Sequence, residues 1–268
     1  MLPLVEAQLI RRSQGKAPET IQDRLIAEEP LEIRLNDEPI AVLMRTPGDD
    51  IALAVGFLFS EGILSDPGQV LSAAHCRDPE NLEAANIVRV LAQDPDLQAT
   101  EQARRRVYAS SSCGLCGKTT LDSVRLLCPS IKAMKPISAE LLLGLPARMR
   151  LEQKLFEDTG ALHAAGLFSN TGELIAARED IGRHNACDKI LGTMALREQW
   201  PLSDRILVLS GRASFEMVQK AAMAGIGAVV AVSAPSSLAV DLARELGLTL
   251  VGFVRQSSLN VYSGTVTD

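Results

Sequence analysis

From Leu31 the chain alternates apolar and charged residues, Leu31-Glu-Ile-Arg-Leu35, breaks at Asn36-Asp-Glu-Pro39, and resumes as Ile40-Ala-Val-Leu-Met44. Period-two alternation on either side of a turn-forming tetrad predicts a β-hairpin. The period then changes. After the helix-start signal Pro47-Gly-Asp-Asp50, Ile51, Ala54, Leu58 and Phe59 recur at helical spacing, and Glu61-Gly62 closes the element. Ile87 to Leu91 and Arg106 to Tyr108 read as strands, while residues 1–22, polar and irregular, read as a loose arm.

A second series begins at Ile137-Ser138, where Ser138 is placed to cap a helix running to about Phe156. Ala164 to Ser169 and Glu173 to Arg178 flank Asn170-Thr-Gly172 as another hairpin. Helices from about Arg183 to Arg197, Ser214 to Ala224 and Ser237 to Leu246 then alternate with apolar strands. Those strands are Arg205 to Leu209, Ala228 to Val232 and Leu248 to Val254, and Leu259 to Tyr262 is the last. Unbroken Val/Ile/Leu strands between helices predict a mostly parallel sheet covered by helices, with any ligand at the strand C-termini. The expected fold class is α/β, with a smaller α+β domain over 23–136 and a larger α/β domain over 137–268. Helix, hairpin, then alternating helix and strand is also the order of a cytidine-deaminase-like domain, which is a likeness of fold only.

With 47% hydrophobic and 22% charged residues, the 268-residue chain can bury a core without staples. Its net charge of −6 argues against a general nucleic-acid or membrane-surface binder, since both need a broad basic face. An anionic ligand must therefore meet a local basic pocket. Ala221 to Val240 is uncharged and long enough to span a membrane, but Gly225, Gly227, Ser233, Pro235, Ser236 and Ser237 break it into helix end, strand and loop. Five cysteines, three of them scattered (Cys76, Cys128, Cys187), do not make a disulfide framework. With no signal-peptide pattern at the start, a reducing, cytoplasmic compartment is expected.

Two thiols stand together: Ser110-Ser-Ser-Cys-Gly-Leu-Cys-Gly-Lys118 sets Cys113 and Cys116 three positions apart. A structural zinc site needs a second ordered pair, and His75-Cys76 and the lone Cys128 do not supply one, so no metal is expected. Deaminase-type zinc lacks its acid, because Ala186 stands where His184-Asn-Ala186 would need a glutamate. A thioredoxin-like dithiol belongs near the start of a small βαβ domain, although the local chemistry permits a thiolate. Sulfur carriage needs an accessible thiolate on a mobile segment. Serines and glycines suit that, and Lys118 with the helix start at Thr119 favours the thiolate. A pair merely packed in a turn is the plain alternative, though the flanking residues offer little apolar surface.

Ser111-Ser-Cys-Gly-Leu-Cys-Gly117 resembles the signature of the FdhD family, sulfurtransferases required for formate dehydrogenase activity. Ala177-Arg-Glu-Asp-Ile-Gly-Arg-His-Asn-Ala186 with Asp188-Lys189, Ser210-Gly-Arg212, Ala231-Val-Ser-Ala-Pro-Ser236, Gly252-Phe-Val-Arg255 and Leu259-Asn-Val-Tyr262 agree in order. The resemblance covers roughly Asp23 to Ser263. It implies a carrier that takes sulfur from a cysteine desulfurase as a persulfide. The sulfur passes to the molybdenum bis(molybdopterin guanine dinucleotide) cofactor of formate dehydrogenase. By that resemblance Cys113 is the persulfide cysteine and Cys116 its auxiliary partner. Phe253, Val254, Arg255, Gln256, Ser257 and Ser258 match the cofactor-binding stretch, although Gln256-Ser-Ser258 stands where the family pattern has a glycine and a second basic residue. Guanine nucleotides are expected to bind as partial mimics, and a homodimer is implied. A non-covalent cofactor chaperone and a dithiol oxidoreductase are the alternatives.

Arg183 and His184 open a helix whose free N–H groups favour a phosphate or carboxylate. Arg212 follows a strand at the expected ligand edge, where Arg183, Arg212 and Arg255 can meet. His184 and Asp188 also fit a surface i,i+4 pair. Glu179 and Asp180 fit a solvated acidic turn or bonds to a guanine or ribose. Arg104-Arg-Arg106 fits a solvated charge run or an anion-steering patch. Cys187, Cys76 and Cys128 are expected in the core.

Overall fold

The computed structural model describes residues 2–76, 85–109, 128, 131 and 134–268, with the backbone alone over 105–109. Its first residues are not irregular. Leu4–Arg11 (β1) and Glu19–Ile26 (β2) form an antiparallel ribbon in which Val5 faces Leu25 and Leu9 faces Ile21. The apolar alternation was present in the chain but diluted by polar neighbours. Glu29–Leu35 (β3) and Glu38–Arg45 (β4) make the predicted hairpin. Asn36 and Asp37 both take left-handed backbone (φ 48° and 68°), as a two-residue hairpin turn requires. With Val70–His75 (β5) and Ile87–Ala92 (β6) they complete a sheet of order β4-β3-β6-β5. Asp50–Ser60 (α1) contributes to the core of this unit with Leu53, Leu58 and Phe59, beside Leu31, Ile33, Val88 and Val90.

Arg106 to Tyr108 is not a strand but the end of the helix Leu97–Ala109 (α2). Asp96 caps it by accepting the Ala99 N–H at 2.8 Å, and three residues are too few to fix a period. Downstream, Ile137–Ser138 (β7) leads into Ala139–Arg150 (α3), where Ser138 Oγ accepts the Leu141 N–H at 3.2 Å. The single predicted helix then splits, and Lys154–Thr159 (α4) restarts it. A distant residue causes the restart: the Glu179 carboxylate accepts the N–H groups of Leu155 (3.0 Å) and Phe156 (2.8 Å).

The main sheet contains His163–Ser169 (β8), Leu174–Asp180 (β9), Arg205–Leu209 (β10), Ala228–Ala231 (β11), Thr249–Gly252 (β12) and Asn260–Ser263 (β13). Its order is β13-β12-β11-β10-β8-β9. The expectation of a mostly parallel sheet is corrected. Only β10, β11 and β12 run parallel, while β8, β9 and β13 are antiparallel to their neighbours. A short turn such as Asn170-Thr-Gly172 can return a strand only antiparallel. The cytidine-deaminase comparison rests on element order alone. Helices do cover both faces. Leu207 and Leu209 pack in a core with Arg183–Ala195 (α5), Phe215–Met223 (α6) and Ser237–Glu245 (α7), and Ile206 and Val208 pack toward α3. Val266–Thr267 (β14) pairs with β7.

The two sheets are joined where α1 crosses α5. A Cβ on Gly56 would lie 1.8 Å from the Asp188 carbonyl oxygen, and one on Gly192 would lie 1.8 Å from that of Ala52. Only glycine permits this backbone-to-backbone approach.

Candidate functional site: the C-terminal edge of the main sheet

Because β8 runs antiparallel to β9 and β10, its first residue, His163, lies at the edge where β9, β10, β11 and β12 end. Arg183 follows β9 at that edge, Ser210 to Arg212 follow β10, and Phe253 to Ser258 follow β12. A cavity of about 670 Å³ opens there, lined by His163, Ser210, Val232, Val254, Arg255 and Gln256, and by Leu143, Met149, Arg150 and Phe156 from α3 and α4. The Arg150 guanidinium lies 4.0 Å from the centre of the Phe156 ring, so one wall presents a cation stacked on an aromatic face.

The segment after β12 is tightly held. Phe253 takes left-handed backbone (φ 51°) with its N–H donating to Ser233 O at 3.2 Å, and it remains 39% exposed. Val254, 2% exposed, donates to Ala231 O at 3.2 Å. The Arg255 N–H donates to Ser258 O at 2.9 Å, and its guanidinium to the carbonyls of Val232 and Val254. A Cβ on Gly252 would meet Pro235 at 2.9 Å, so the strand end depends on a glycine. Of the predicted stretch, Val254, Arg255 and Gln256 line the cavity, and Phe253, Ser257 and Ser258 are exposed beside it.

The basic groups expected from the sequence do collect here. Burial first, then the nearby Arg183, His184 and Arg212, hold the His163 imidazole below its ordinary value of 6.5, against the opposing charge of Asp180. Among the described residues, buried Arg183 Nε and His184 Nε2 have no hydrogen-bond partner. His184 Nε2 lies 3.6 Å from Glu216 Oε2, beyond hydrogen-bond range and within the reach of an ion pair when the ring is protonated. The His184 ring, opposed by burial and helped by the Ser214 hydroxyl at 2.8 Å, keeps the Glu216 carboxyl down at about 2.

The acidic residues behave differently from expectation. Asp180 is fully buried. It accepts the N–H groups of Thr46 (3.1 Å) and Gly182 (2.8 Å) and the Asn185 amide (2.9 Å), and pairs with Lys189 at 2.8 Å. Glu179 caps α4. Neither is the solvated turn the sequence suggests. Asp188 does not form the expected surface pair with His184; it is buried, 2.9 Å from Lys220 Nζ and 2.8 Å from Ser60 Oγ. Burial pushes the Lys220 ammonium down, but Asp188 and Glu61 outweigh it and hold it above the ordinary lysine range. These pairs fasten the start of α5, and with it Arg183 and His184, to the β4–α1 region. Arg104 pairs with Glu38 at 3.5 Å.

Cys113 and Cys116 lie outside the described residues. Cys187 is buried as expected, and burial raises its thiol. Cys128, only partly buried, is pushed up to about 11 by burial and then by Glu245. Neither is a thiolate at neutral pH. Cys76 is partly buried rather than a core residue. Among the described residues no group of three His, Cys, Asp or Glu side chains is arranged to hold a metal ion, and no helix is long and apolar enough to cross a membrane. Sequence reasoning misses His163, Arg150 and Phe156. The signal for His163 was strand direction, since the first residue of an antiparallel strand sits at its neighbours' C-terminal edge.

The chain is 50% identical to the Sulfur carrier protein FdhD of Streptomyces coelicolor, covering 97% of this chain and 94% of that protein. It is 42% identical to the protein of that name from Picrophilus torridus, covering 93% of each. A crystal structure of a protein from Desulfotalea psychrophila, described as a formate dehydrogenase accessory protein, shares the fold with a TM-score of 0.76. That match covers 97% of this chain and 96% of that one at 24% identity. The FdhD/NarQ family model matches residues 26–267, nearly the whole chain including both sheets and the basic edge, and the chain accordingly belongs to the FdhD/NarQ family.

Proposed function

We propose that this chain is a cytoplasmic sulfur carrier that receives sulfur on Cys113 from a cysteine desulfurase. It delivers that sulfur to the molybdenum bis(molybdopterin guanine dinucleotide) cofactor destined for formate dehydrogenase. The observation that carries the reading is the convergence of Arg183, His184, Arg212 and Arg255 on one cavity-bearing edge of an acidic protein. Such an edge suits a large ligand with several phosphates. The aromatic and apolar wall of Phe156, Leu143 and Met149 suits its flat ring systems. The binding groups in this reading are Arg183, His184, Arg212 and the stretch Phe253, Val254, Arg255, Gln256, Ser257 and Ser258.

The Cys113 thiolate attacks the outer sulfur of the desulfurase persulfide. That S–S bond breaks, the desulfurase leaves as its thiolate, and Cys113 carries the sulfane sulfur. The Cys116 thiolate then attacks the inner sulfur and expels hydrosulfide, leaving a Cys113–Cys116 disulfide. The hydrosulfide, with a proton from solvent, replaces an oxygen ligand of molybdenum, which departs as water. A dithiol reductant restores both cysteines. The protein works as a homodimer in this reading.

Mass spectrometry after incubation with a cysteine desulfurase and cysteine tests the central step. The expected result is a reductant-removable adduct of about one sulfur atom (~32 Da) on Cys113, absent from Cys113→Ala, which also fails to activate formate dehydrogenase. Activation by Cys113→Ala would replace carriage with a non-covalent chaperone role.

A further inference from the structure

His163 stands where several elements converge on the cavity. Arg183 and His184 from α5, Arg212 from the loop after β10 and Asp180 from β9 act on its imidazole. Arg150 from α3 and Arg255 from the loop after β12 line the same cavity. Asp180 is the one carboxylate in this set, and it is committed to Lys189, Thr46, Gly182 and Asn185. The other nearby carboxylate, Glu216, belongs to His184. Among the described residues nothing hydrogen-bonds the His163 ring. A Cβ on Gly211 would come within 3.3 Å of its Nδ1, so the glycine lets the loop carrying Arg212 pass this close. An anion entering the cavity therefore meets guanidinium groups of fixed charge and the His163 ring, while the second imidazole, His184, faces Glu216 at 3.6 Å.

We propose that His163 is a proton-dependent ligand for the phosphates of the bound dinucleotide, neutral in the empty site and charged when a phosphate lies beside it. The inference rests on the reading of this edge as the cofactor site. In the empty site, burial and the cations around it keep the ring neutral at pH 7. A phosphate supplies the negative charge that Asp180, already paired, does not, and the imidazolium then donates a hydrogen bond to it. Binding takes up a proton between the lowered free-state value and the higher value of the complex. Affinity accordingly falls as pH rises through that window. Below it the ring is charged in both states and affinity levels off.

Diguanosine pyrophosphate is the suitable probe, because its bridging phosphates do not titrate near neutral pH. By calorimetry the wild-type protein should bind it about tenfold more weakly at about pH 8 than at about pH 6. Proton uptake should appear as a dependence of the heat on the buffer's ionisation enthalpy. His163→Asn should show a flat profile without that uptake, and His163→Gln serves in the same test if Asn disturbs the fold. His75→Asn, at the histidine that lies away from this edge beside Asp49 and Asp50, should keep the slope. A slope that survives in both His163 variants, or that vanishes in His75→Asn instead, overturns the proposal and leaves the site standing. Absence of binding by every protein at every pH overturns the cofactor-site reading, and this proposal with it.

Discussion

Phe253 holds a left-handed backbone (φ 51°) that a non-glycine residue adopts at a cost of about 1–2 kcal/mol, with its ring partly exposed beside the cavity. Strain kept in an exposed aromatic fits a contact with a ligand better than a role in packing. Phe253→Gly should leave the urea midpoint nearly unchanged, because relief of strain offsets the entropy cost of about 1 kcal/mol that glycine brings. Guanine-nucleotide affinity should drop all the same. A clear fall in the midpoint would assign the ring to packing instead. Glu216 makes a pH prediction. Its carboxyl, ordinarily near 4.5, is held at about 2 beside His184. A depressed value means that its contribution to stability is present above about pH 4.5 and is lost as pH falls toward about 2. Glu216→Gln should flatten the acid limb of the stability curve over that window, as read by denaturant unfolding.

At the scale of elements, the crossing of α1 and α5 depends on Gly56 and Gly192, whose Cβ positions would sit 1.8 Å from backbone oxygens of the facing helix. Backbone cannot retreat as a side chain can. Gly192→Ala should destabilise the protein by about 3 kcal/mol or more. Gly144, inside α3 with only Arg148 Nε at 4.0 Å, is the control. Gly144→Ala should be neutral or stabilise by about 0.5–1 kcal/mol. Equal urea midpoints for the two variants would remove the close crossing. That crossing also bears on the site, since α5 begins with Arg183 and His184 and is fastened by the buried pairs Asp180–Lys189 and Asp188–Lys220.

At the scale of the molecule, a net charge of −6 coexists with a basic edge, so ligand binding there should weaken as salt rises. Arg255→Ala should weaken guanine-nucleotide binding by about tenfold (about 1.4 kcal/mol) while the Cys113 persulfide still forms. Calorimetry and mass spectrometry on the same variant separate the two. Unchanged affinity would take Arg255 out of the site.

The sequence by itself determined what local chemistry can encode. Alternation and Asn36-Asp37 specified the first hairpin. Apolar runs between helical repeats specified β10, β11 and β12 with their helices, and ordered motifs around Arg183, Arg212 and Arg255 pointed to one family and one edge. Turn residues, periodicity and caps act over a few positions, so they are legible in one dimension. Only the tertiary structure decided strand direction, which placed His163 at the cavity-bearing edge, and the identity of α2, where a short Val-Tyr run gave no period. Only it decided the fate of the acidic residues as well. Asp180 is not a solvated turn because Thr46, 134 positions away, donates to it, and Asp188 is buried against Ser60, 128 positions away. Burial and charge pairing are set by which surfaces meet, and a chain folded over such distances does not write that in any local pattern.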